Sequence, residues 1–162
     1  KRIINWDPVQ RTALSNIEVI HKEIEGAMYY FKYKIVDSDQ ELVIATTRPE
    51  TMFADQAIFV HPDDERYKDL VGKYAINPAN GEKLPIMADS YIDMDFGTAV
   101  MKCTPAHDPN DFALAKKYNL DMPICMNDDG TMNELCHKYQ GMDRFECRKQ
   151  LVADFEAAGI VD

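Results

Sequence analysis

The chain has 162 residues, 46% of them hydrophobic and 28% charged, which is the composition of an ordinary globular domain with one core. No apolar run approaches the roughly 20 residues that a membrane-spanning helix requires. The formal net charge of −10 argues against nucleic-acid binding through a broad basic surface. It permits a pocket that takes only the end of a nucleic acid held elsewhere.

The first residues carry no apolar stretch of the kind that directs export, so we expect a cytoplasmic protein with no membrane partner. The cysteines lack the close spacing of a zinc knuckle, and the histidines form no His-x-x-x-His pair. We therefore expect reduced thiols and no metal site. The cysteines are Cys103, Cys125, Cys136 and Cys147.

Three strands are predicted in the early part of the chain. Residues 27–36 are rich in aromatic and β-branched side chains, and residues 41–47 return after a polar turn at 37–40. Pro49 prevents the second strand from continuing in the centre of a sheet. Residues 55–61 form a third apolar run that is typical of a strand.

The middle of the chain predicts a mixture of elements. Residues 62–72 favour a short helix that ends at a glycine. Residues 74–89 contain Asn80-Gly81 between two apolar runs, which indicates a hairpin. Residues 97–105 are typical of a buried strand.

Two longer helices are predicted in the last third. Within residues 106–120, Asp108 is a candidate N-cap and Pro109 suits the first helical position. After a turn at 128–131, residues 143–159 carry apolar side chains at helical spacing and end in a glycine. Strands linked mostly by hairpins, with helices packed outside, predict an α+β fold with a curled or barrel-like sheet as its core.

Polar side chains concentrate in two loops that each follow a predicted strand. The first loop covers residues 46–51 and the second covers residues 102–111. Together they offer two cations, carboxylates, hydroxyls and one imidazole, a set that can hold a small zwitterion. A purely structural interpretation remains open at this point. In it Asp108 only caps a helix, Asp111 only complements the helix dipole, Arg48 pairs with Glu50 on the surface, and His107 is structural.

Motifs in these loops and beyond them resemble a known family. The segments ATTRPETM, FGT, TPAHDPNDF, DDGTMNE and YQGMDRFECRK occur in the order found in the editing domains of valyl-tRNA synthetases. The resemblance extends over nearly the whole chain. The TPAHDPNDF segment separates it from leucyl enzymes, with a His-Asp-Gln-Arg-Asp pattern, and from isoleucyl enzymes, with Gly-His-Gly-Glu-Asp-Asp. Two departures from the family pattern add bulk, at Ala99 and at Phe53.

The resemblance implies one editing domain over residues 1–162 in the synthetase editing-domain fold, excised from a larger enzyme. Residues 1–20 and 143–162 would lie near the junctions with the parent body. The chain carries no ATP-binding signature of the synthetic domain, so ATP and other cofactors are not expected for the editing reaction. The implied partners are the rest of the parent synthetase and the 3′ end of the tRNA for valine, carrying threonine.

The resemblance also implies a reaction, which is the hydrolysis of threonine from mischarged tRNA after transfer. Valyl-tRNA synthetases are the standard case in which an apolar synthetic pocket rejects an added hydroxyl only about 100-fold, so that a second site must remove the error. The residues expected to act in catalysis are Lys102, Asp108 and Asp111.

Each of these residues has an expected role by resemblance. Asp111 binds the α-ammonium, and Asp108, with Thr104 and Lys102, recognises the threonine hydroxyl and orients the ester. The residues expected to bind the rest of the substrate are Thr47, Arg48, Thr51, Asp93, Phe96 and His107, with Phe96 against the adenine and Asp93 near its ribose or base. The general base remains open between Asp108, His107 and a ribose hydroxyl of the tRNA.

Alternative functions remain open on the sequence alone. The same fold can serve as a non-catalytic module that binds a tRNA end or a protein. The domain can also belong to a leucyl- or isoleucyl-type enzyme, or act as a freestanding deacylase. Selective release of threonine over valine from charged tRNA would separate these alternatives.

Overall fold

The computed structural model describes residues 27–162, and the predicted junction segment 1–20 lies outside them. The described part of the chain forms a six-stranded sheet with strand order β2-β1-β4-β5-β3-β6. The strands are β1 (Tyr29–Ile35), β2 (Glu41–Thr46), β3 (Ala57–Val60), β4 (Tyr74–Ile76), β5 (Lys83–Ala88) and β6 (Met101–Cys103). The two outer strands, β2 and β6, contact each other, so the sheet curls into a nearly closed barrel. The predicted α+β fold with a barrel-like core is confirmed.

Within residues 27–162, two α-helices pack outside the sheet, α1 (Pro109–Tyr118) and α2 (Arg144–Ala157). Helix α2 packs against β1 through Phe155 and Phe31, whose rings make an edge-to-face contact with centroids 4.9 Å apart. Helix α1 packs against β3 through Tyr118 and Phe59, whose ring centroids are 5.4 Å apart. None of the helices over residues 27–162 is long and apolar enough to cross a membrane.

The loop after β2 folds into a 3₁₀ helix, Pro49–Ala54, and all six of its residues are buried. Pro49 starts this helix because its fixed φ suits a first helical position and its missing N–H ends the strand. The side chain of Asn77 anchors the helix by donating to the carbonyl of Met52 over 2.8 Å. The 3₁₀ helix therefore turns the residues that follow the strand back into the molecule.

Most predicted elements are present, with three differences. Residues 62–72 do not form the predicted α-helix; they contain turns and a 3₁₀ helix at Lys68–Leu70. The predicted strand at 97–105 is limited to Met101–Cys103, because the chain before it turns through positive φ at Gly97 and Ala99. Of the five strand pairings, only β1–β2 and β4–β5 join strands consecutive in sequence, and β3–β5 is parallel. Hairpins therefore link fewer strands than predicted.

Candidate functional site

The two polar loops meet around a cavity of about 310 Å³, hereafter the polar cavity. It lies where β2 and β6 end, because the loops follow these contacting outer strands of the barrel. Nine of the ten predicted site residues line it. They are Thr47, Arg48, Thr51, Phe96, Lys102, Thr104, His107, Asp108 and Asp111.

Lys102 is the buried centre of one wall. Its ammonium donates to the hydroxyl of Thr51 over 2.9 Å, to the hydroxyl of Thr104 over 2.8 Å and to the carboxylate of Asp55 over 2.8 Å. Thr104 in turn donates its proton to Asp55 over 2.5 Å. A lysine ammonium has three donors, so all three are occupied within the protein. Burial raises the pKa of Asp55, and the adjacent Lys102 opposes this rise.

Asp111 lies in the first turn of α1, and its carboxylate accepts the backbone N–H of Thr104 over 2.8 Å. Its pKa is raised from 3.8 to about 6, first because burial disfavours the charge and then because the Asp108 carboxylate is close. A cation that binds beside Asp111 would offset both the burial of its charge and the repulsion from Asp108, so this carboxylate is suited to bind a cation.

Asp108 is the N-cap of α1, as its position in the sequence predicts. One of its oxygens, Oδ1, accepts the backbone N–H groups of Asn110 and Asp111 over 2.8 and 3.4 Å. No residue of the described part of the chain donates to its other oxygen, Oδ2. Capping fixes the side chain and leaves that oxygen available at the cavity, so the structural and functional interpretations of Asp108 are compatible.

Arg48 links the two loops, because its guanidinium donates to the backbone carbonyl of His107 over 2.8 Å. Its Nε lies 3.7 Å from Glu50, as the alternative interpretation expects, but Glu50 is buried rather than on the surface. Glu50 also accepts two hydrogen bonds from Arg148 of α2, over 2.8 and 2.7 Å. The pair ties the 3₁₀ helix after β2 to α2.

His107 is held as a neutral acceptor. Its Nε2 accepts the backbone N–H of Cys125 over 3.1 Å, which places the ring proton on Nδ1. Its pKa is lowered to about 4, mainly by burial and then by the positive charges of Arg48 and Lys102. Near neutral pH neither ring nitrogen is free to accept a proton.

A second cavity of about 310 Å³ adjoins the polar cavity and shares the side chain of Phe96 with it; we term it the apolar recess. Phe96 is 69% exposed and Tyr91 is 55% exposed, which is unusual for large aromatic side chains. Asp93, the tenth predicted site residue, lines this recess rather than the polar cavity. Its carboxylate accepts the backbone N–H of Asp95 over 2.9 Å.

The two departures from the family pattern have different surroundings. Phe53 is buried in the core, where its ring lies 5.6 Å from that of Tyr139, and it does not line the polar cavity. Ala99 lines the apolar recess with φ at 63°, a conformation that costs a non-glycine residue roughly 1–2 kcal/mol. The added methyl at Ala99 therefore affects the backbone of the recess.

The sequence analysis does not identify two charged residues of this region, Asp55 and Arg148. The sequence contains one indication of Asp55. Its carboxylate precedes an apolar strand, where a buried charge requires a partner of opposite charge, and Lys102 also lies in an apolar segment. No local signal marks Arg148, because its partner Glu50 is 98 residues away.

Comparison with known proteins agrees with this architecture. A family model described as "Leucyl-tRNA synthetase, editing domain" matches residues 64–144, half of the chain. Two solved structures share the fold. A leucyl-tRNA synthetase of Agrobacterium radiobacter K84, in a ternary complex with tRNA and LeuAMS, has a TM-score of 0.66 at 17% identity over 89% of this chain and 21% of that one. The structure named GlLeuRS-CP1 has a TM-score of 0.64 at 14% identity over 84% of this chain and 98% of that one. The chain belongs to the family of aminoacyl-tRNA synthetase editing domains.

Within that family its sequence is similar to valine–tRNA ligases, as the motifs predict. The enzyme of Mesoplasma florum is 61% identical over 153 residues, 94% of this chain, and that of Geobacillus stearothermophilus is 55% identical over 159 residues, 98% of this chain. That of Bacillus subtilis is 56% identical over the same length. The chain spans about 18% of the length of these relatives.

Proposed function

We propose that this domain hydrolyses the ester between threonine and the 3′ end of the tRNA for valine, as the proofreading step of a cytoplasmic valine–tRNA ligase and without a cofactor. The observation that carries the proposal is the hydrogen-bond arrangement around Lys102. The hydroxyl of Thr51 donates to the carbonyl of Arg48 over 2.9 Å, and that of Thr104 donates to Asp55. Both hydroxyls have thus used their protons and can only accept a hydrogen bond from a ligand.

This arrangement selects for a ligand hydroxyl. Threonine brings an O–H that can donate to Thr104, Thr51 or the Oδ2 atom of Asp108. Valine brings a methyl group in the same place and cannot make this hydrogen bond, whose net contribution is about 0.5–1.5 kcal/mol with a hydroxyl and about 1.5–3 kcal/mol with a carboxylate. The carboxylate of Asp111 suits the α-ammonium of either amino acid. Asp111 therefore supplies affinity, and the acceptors supply the discrimination.

The remaining cavities accommodate the rest of the substrate. The exposed ring of Phe96 offers a stacking face for the terminal adenine, and Asp93 offers an acceptor for its ribose or base. Arg48, Thr47 and Thr51 line the polar cavity on the side of the first loop.

The chemistry requires a water placed against the ester carbonyl. His107 is unsuited as the general base, since its Nε2 already accepts a hydrogen bond and its Nδ1 carries the proton. Two candidates from the sequence remain, the Oδ2 atom of Asp108 and a ribose hydroxyl of the tRNA. Placement of the water by fixed polar groups lowers the barrier by removing the orientational cost of the attack.

The direct test measures deacylation of Thr-tRNA and Val-tRNA by the full-length protein. We expect selective release of threonine, and we expect Asp111→Ala to abolish it while valine activation remains intact. Release of neither amino acid would favour the alternative of a non-catalytic binding module, and equal release of both would contradict the selection for threonine.

A further inference from the structure

The loop between β5 and β6 carries both residues that the proposed function places against the terminal adenosine, Phe96 and Asp93. It covers residues 89–100, contains no helix or strand, and is hereafter the recess loop. Phe96 is 69% exposed, so little of the protein packs around its ring. The position of this ring therefore depends on how the backbone of the recess loop is held.

The first part of the recess loop is anchored to the barrel and to α1. The carboxylate of Asp89 accepts a hydrogen bond from Lys117 over 2.7 Å, and Ile92 is buried in an apolar cluster with Leu114. Residues 93–97 follow these anchors and are exposed. The stretch that carries Phe96 thus needs a contact of its own.

Two side chains from the turn at residues 64–67 make that contact. The guanidinium of Arg66 donates to the backbone carbonyl of Met94 over 2.9 Å. The hydroxyl of Tyr67 donates to the backbone carbonyl of Thr98 over 2.8 Å. The two accepting carbonyls lie two residues before and two residues after Phe96, so the turn holds the loop on both sides of this ring.

The guanidinium of Arg66 is itself fixed before it contacts the loop. Asp64 accepts its Nε over 2.9 Å and its Nη2 over 2.8 Å, which is a bidentate pair. The same guanidinium carbon lies 5.2 Å from the centre of the Tyr67 ring. A planar fork held in this way loses little further freedom when it binds a carbonyl. Asp64, Arg66 and Tyr67 therefore act as one preorganised unit, in the segment where the sequence predicts a helix.

We propose that Arg66 and Tyr67 are positioning residues for the terminal adenosine, which hold the recess loop so that Phe96 presents its ring to the adenine. Neither residue lines the polar cavity or the apolar recess, so both would act through the loop backbone. A binding group contributes fully only when supporting residues fix it in its productive position. This inference rests on the proposed function.

The test measures kcat/KM for deacylation of Thr-tRNA by the full-length protein that carries this chain. Arg66→Met keeps an unbranched apolar stem and removes the donors, and it should lower kcat/KM by about fivefold through the loss of a hydrogen bond. Phe96→Ala should lower kcat/KM by about tenfold or more, the contribution of one base stacked on an aromatic ring. The ratio of threonine to valine release should stay unchanged in Arg66→Met, because the discriminating acceptors lie in the polar cavity.

A double variant tests whether Arg66 acts through Phe96. In the Phe96→Ala background, Arg66→Met should lower kcat/KM by less than about twofold further, because no ring remains to be positioned. Two residues that act independently, including one with a merely structural role, would instead multiply their effects. Tyr67→Phe removes only the bond to Thr98 and should lower kcat/KM by about threefold, again only while Phe96 is present.

Lys68 provides a control for the loss of one positive charge. It pairs with Glu65 over 2.9 Å and makes no polar contact with the recess loop within residues 27–162. Lys68→Met removes the same charge as Arg66→Met from the same segment, and it should retain full deacylation. An equal loss in both variants would mean that the charge alone matters, and the positioning role would be wrong.

The outcomes separate this inference from the proposed function. Release of no threonine by the unaltered protein contradicts the proposed function itself, and full activity of Phe96→Ala contradicts its placement of the adenine. Full activity of Arg66→Met, or a loss in the double variant equal to the product of the two single losses, contradicts only the positioning role. A changed ratio of threonine to valine release in Arg66→Met would also contradict it, because the effect would then lie in the polar cavity.

Discussion

Replacing Asp111 by asparagine should stabilise the domain and inactivate it. Asparagine has nearly the shape of aspartate and keeps an oxygen that can accept the backbone N–H of Thr104, so the local geometry is retained. The substitution removes a negative charge that is buried beside Asp108. The same charge is the proposed partner of the substrate ammonium.

The magnitude follows from the pKa of this carboxyl. The rise from 3.8 to about 6 means that the fold disfavours the charged form by roughly 3 kcal/mol at neutral pH, at about 1.4 kcal/mol for each tenfold change in the protonation equilibrium. Between these two pH values the native state binds a proton that the unfolded state has released. Stability from this group is therefore complete below about pH 4 and is lost as the pH rises through about 6.

The assay is urea unfolding followed by circular dichroism, for the original domain and Asp111→Asn, at several pH values between 4 and 8. We expect equal free energies of unfolding near pH 4, and a variant that is more stable by up to roughly 3 kcal/mol at pH 8. Deacylation of Thr-tRNA by the variant should fall by about 100-fold, because a hydrogen bond to a charged group is lost. In the original protein, kcat/KM should rise with pH through about 6, as the carboxylate forms.

Two results would refute this reasoning. A variant that is less stable than the original at every pH would mean that the charge at Asp111 stabilises the fold. A stability difference that is the same at pH 4 and pH 8 would show that the carboxyl has an ordinary pKa, since only a titrating charge makes the difference depend on pH.

Three further predictions concern the surroundings of the site. Lys102→Met should lower the free energy of unfolding in urea by about 3–5 kcal/mol, because it leaves the buried carboxylate of Asp55 without its cation. The double variant Lys102→Met with Asp55→Asn should recover much of this stability but no editing activity. Full stability of the single variant would contradict the prediction. Arg148→Met should cost a similar 3–5 kcal/mol by the same measurement, because Glu50 then remains buried with only the half-exposed Arg48, 3.7 Å away. An unchanged free energy of unfolding would be inconsistent with the buried pair. Ala99→Gly should raise the melting temperature by about 2–4 °C, since glycine adopts the positive φ of 63° without strain, and a lower melting temperature would show that the alanine is unstrained.

The elements that sequence predicts well here are those with local causes. Asp108 and Pro109 identify the start of α1 because capping and the fixed φ of proline act within one turn. Both polar loops could be located because each follows an apolar strand, and their resemblance to a family predicts that they meet. The predicted helix at 62–72 is wrong also because of local interactions. Turns that hydrogen-bond to the backbone carbonyl of Asp64, and the bonds of its carboxylate to Arg66, replace the α-helix there.

Features that depend on partners far apart in the sequence could not be predicted from it. Glu50 is paired with Arg148 on a helix at the other end of the chain, and nothing near Glu50 in sequence identifies that partner. The parallel pairing of β3 with β5 also joins distant segments, whereas the hairpin signal at Asn80-Gly81 reports only on β4 and β5. Local chemistry thus predicts which groups are available, and long-range packing decides which of them become fixed.

The occupied donors of Lys102 define how this residue acts within the proposed editing reaction. Its ammonium already donates to Thr51, Thr104 and Asp55, so a direct contact with substrate would require breaking one of these hydrogen bonds. Without that rearrangement, Lys102 acts by holding two threonine hydroxyls in fixed orientations with their acceptor sides toward the cavity. A site that is built to accept a hydrogen bond rejects a ligand without a donor more strongly than an apolar site rejects an added hydroxyl. In the proposed reaction, the buried charges of Lys102 and Asp55 would therefore contribute to specificity by orienting neutral hydroxyl groups.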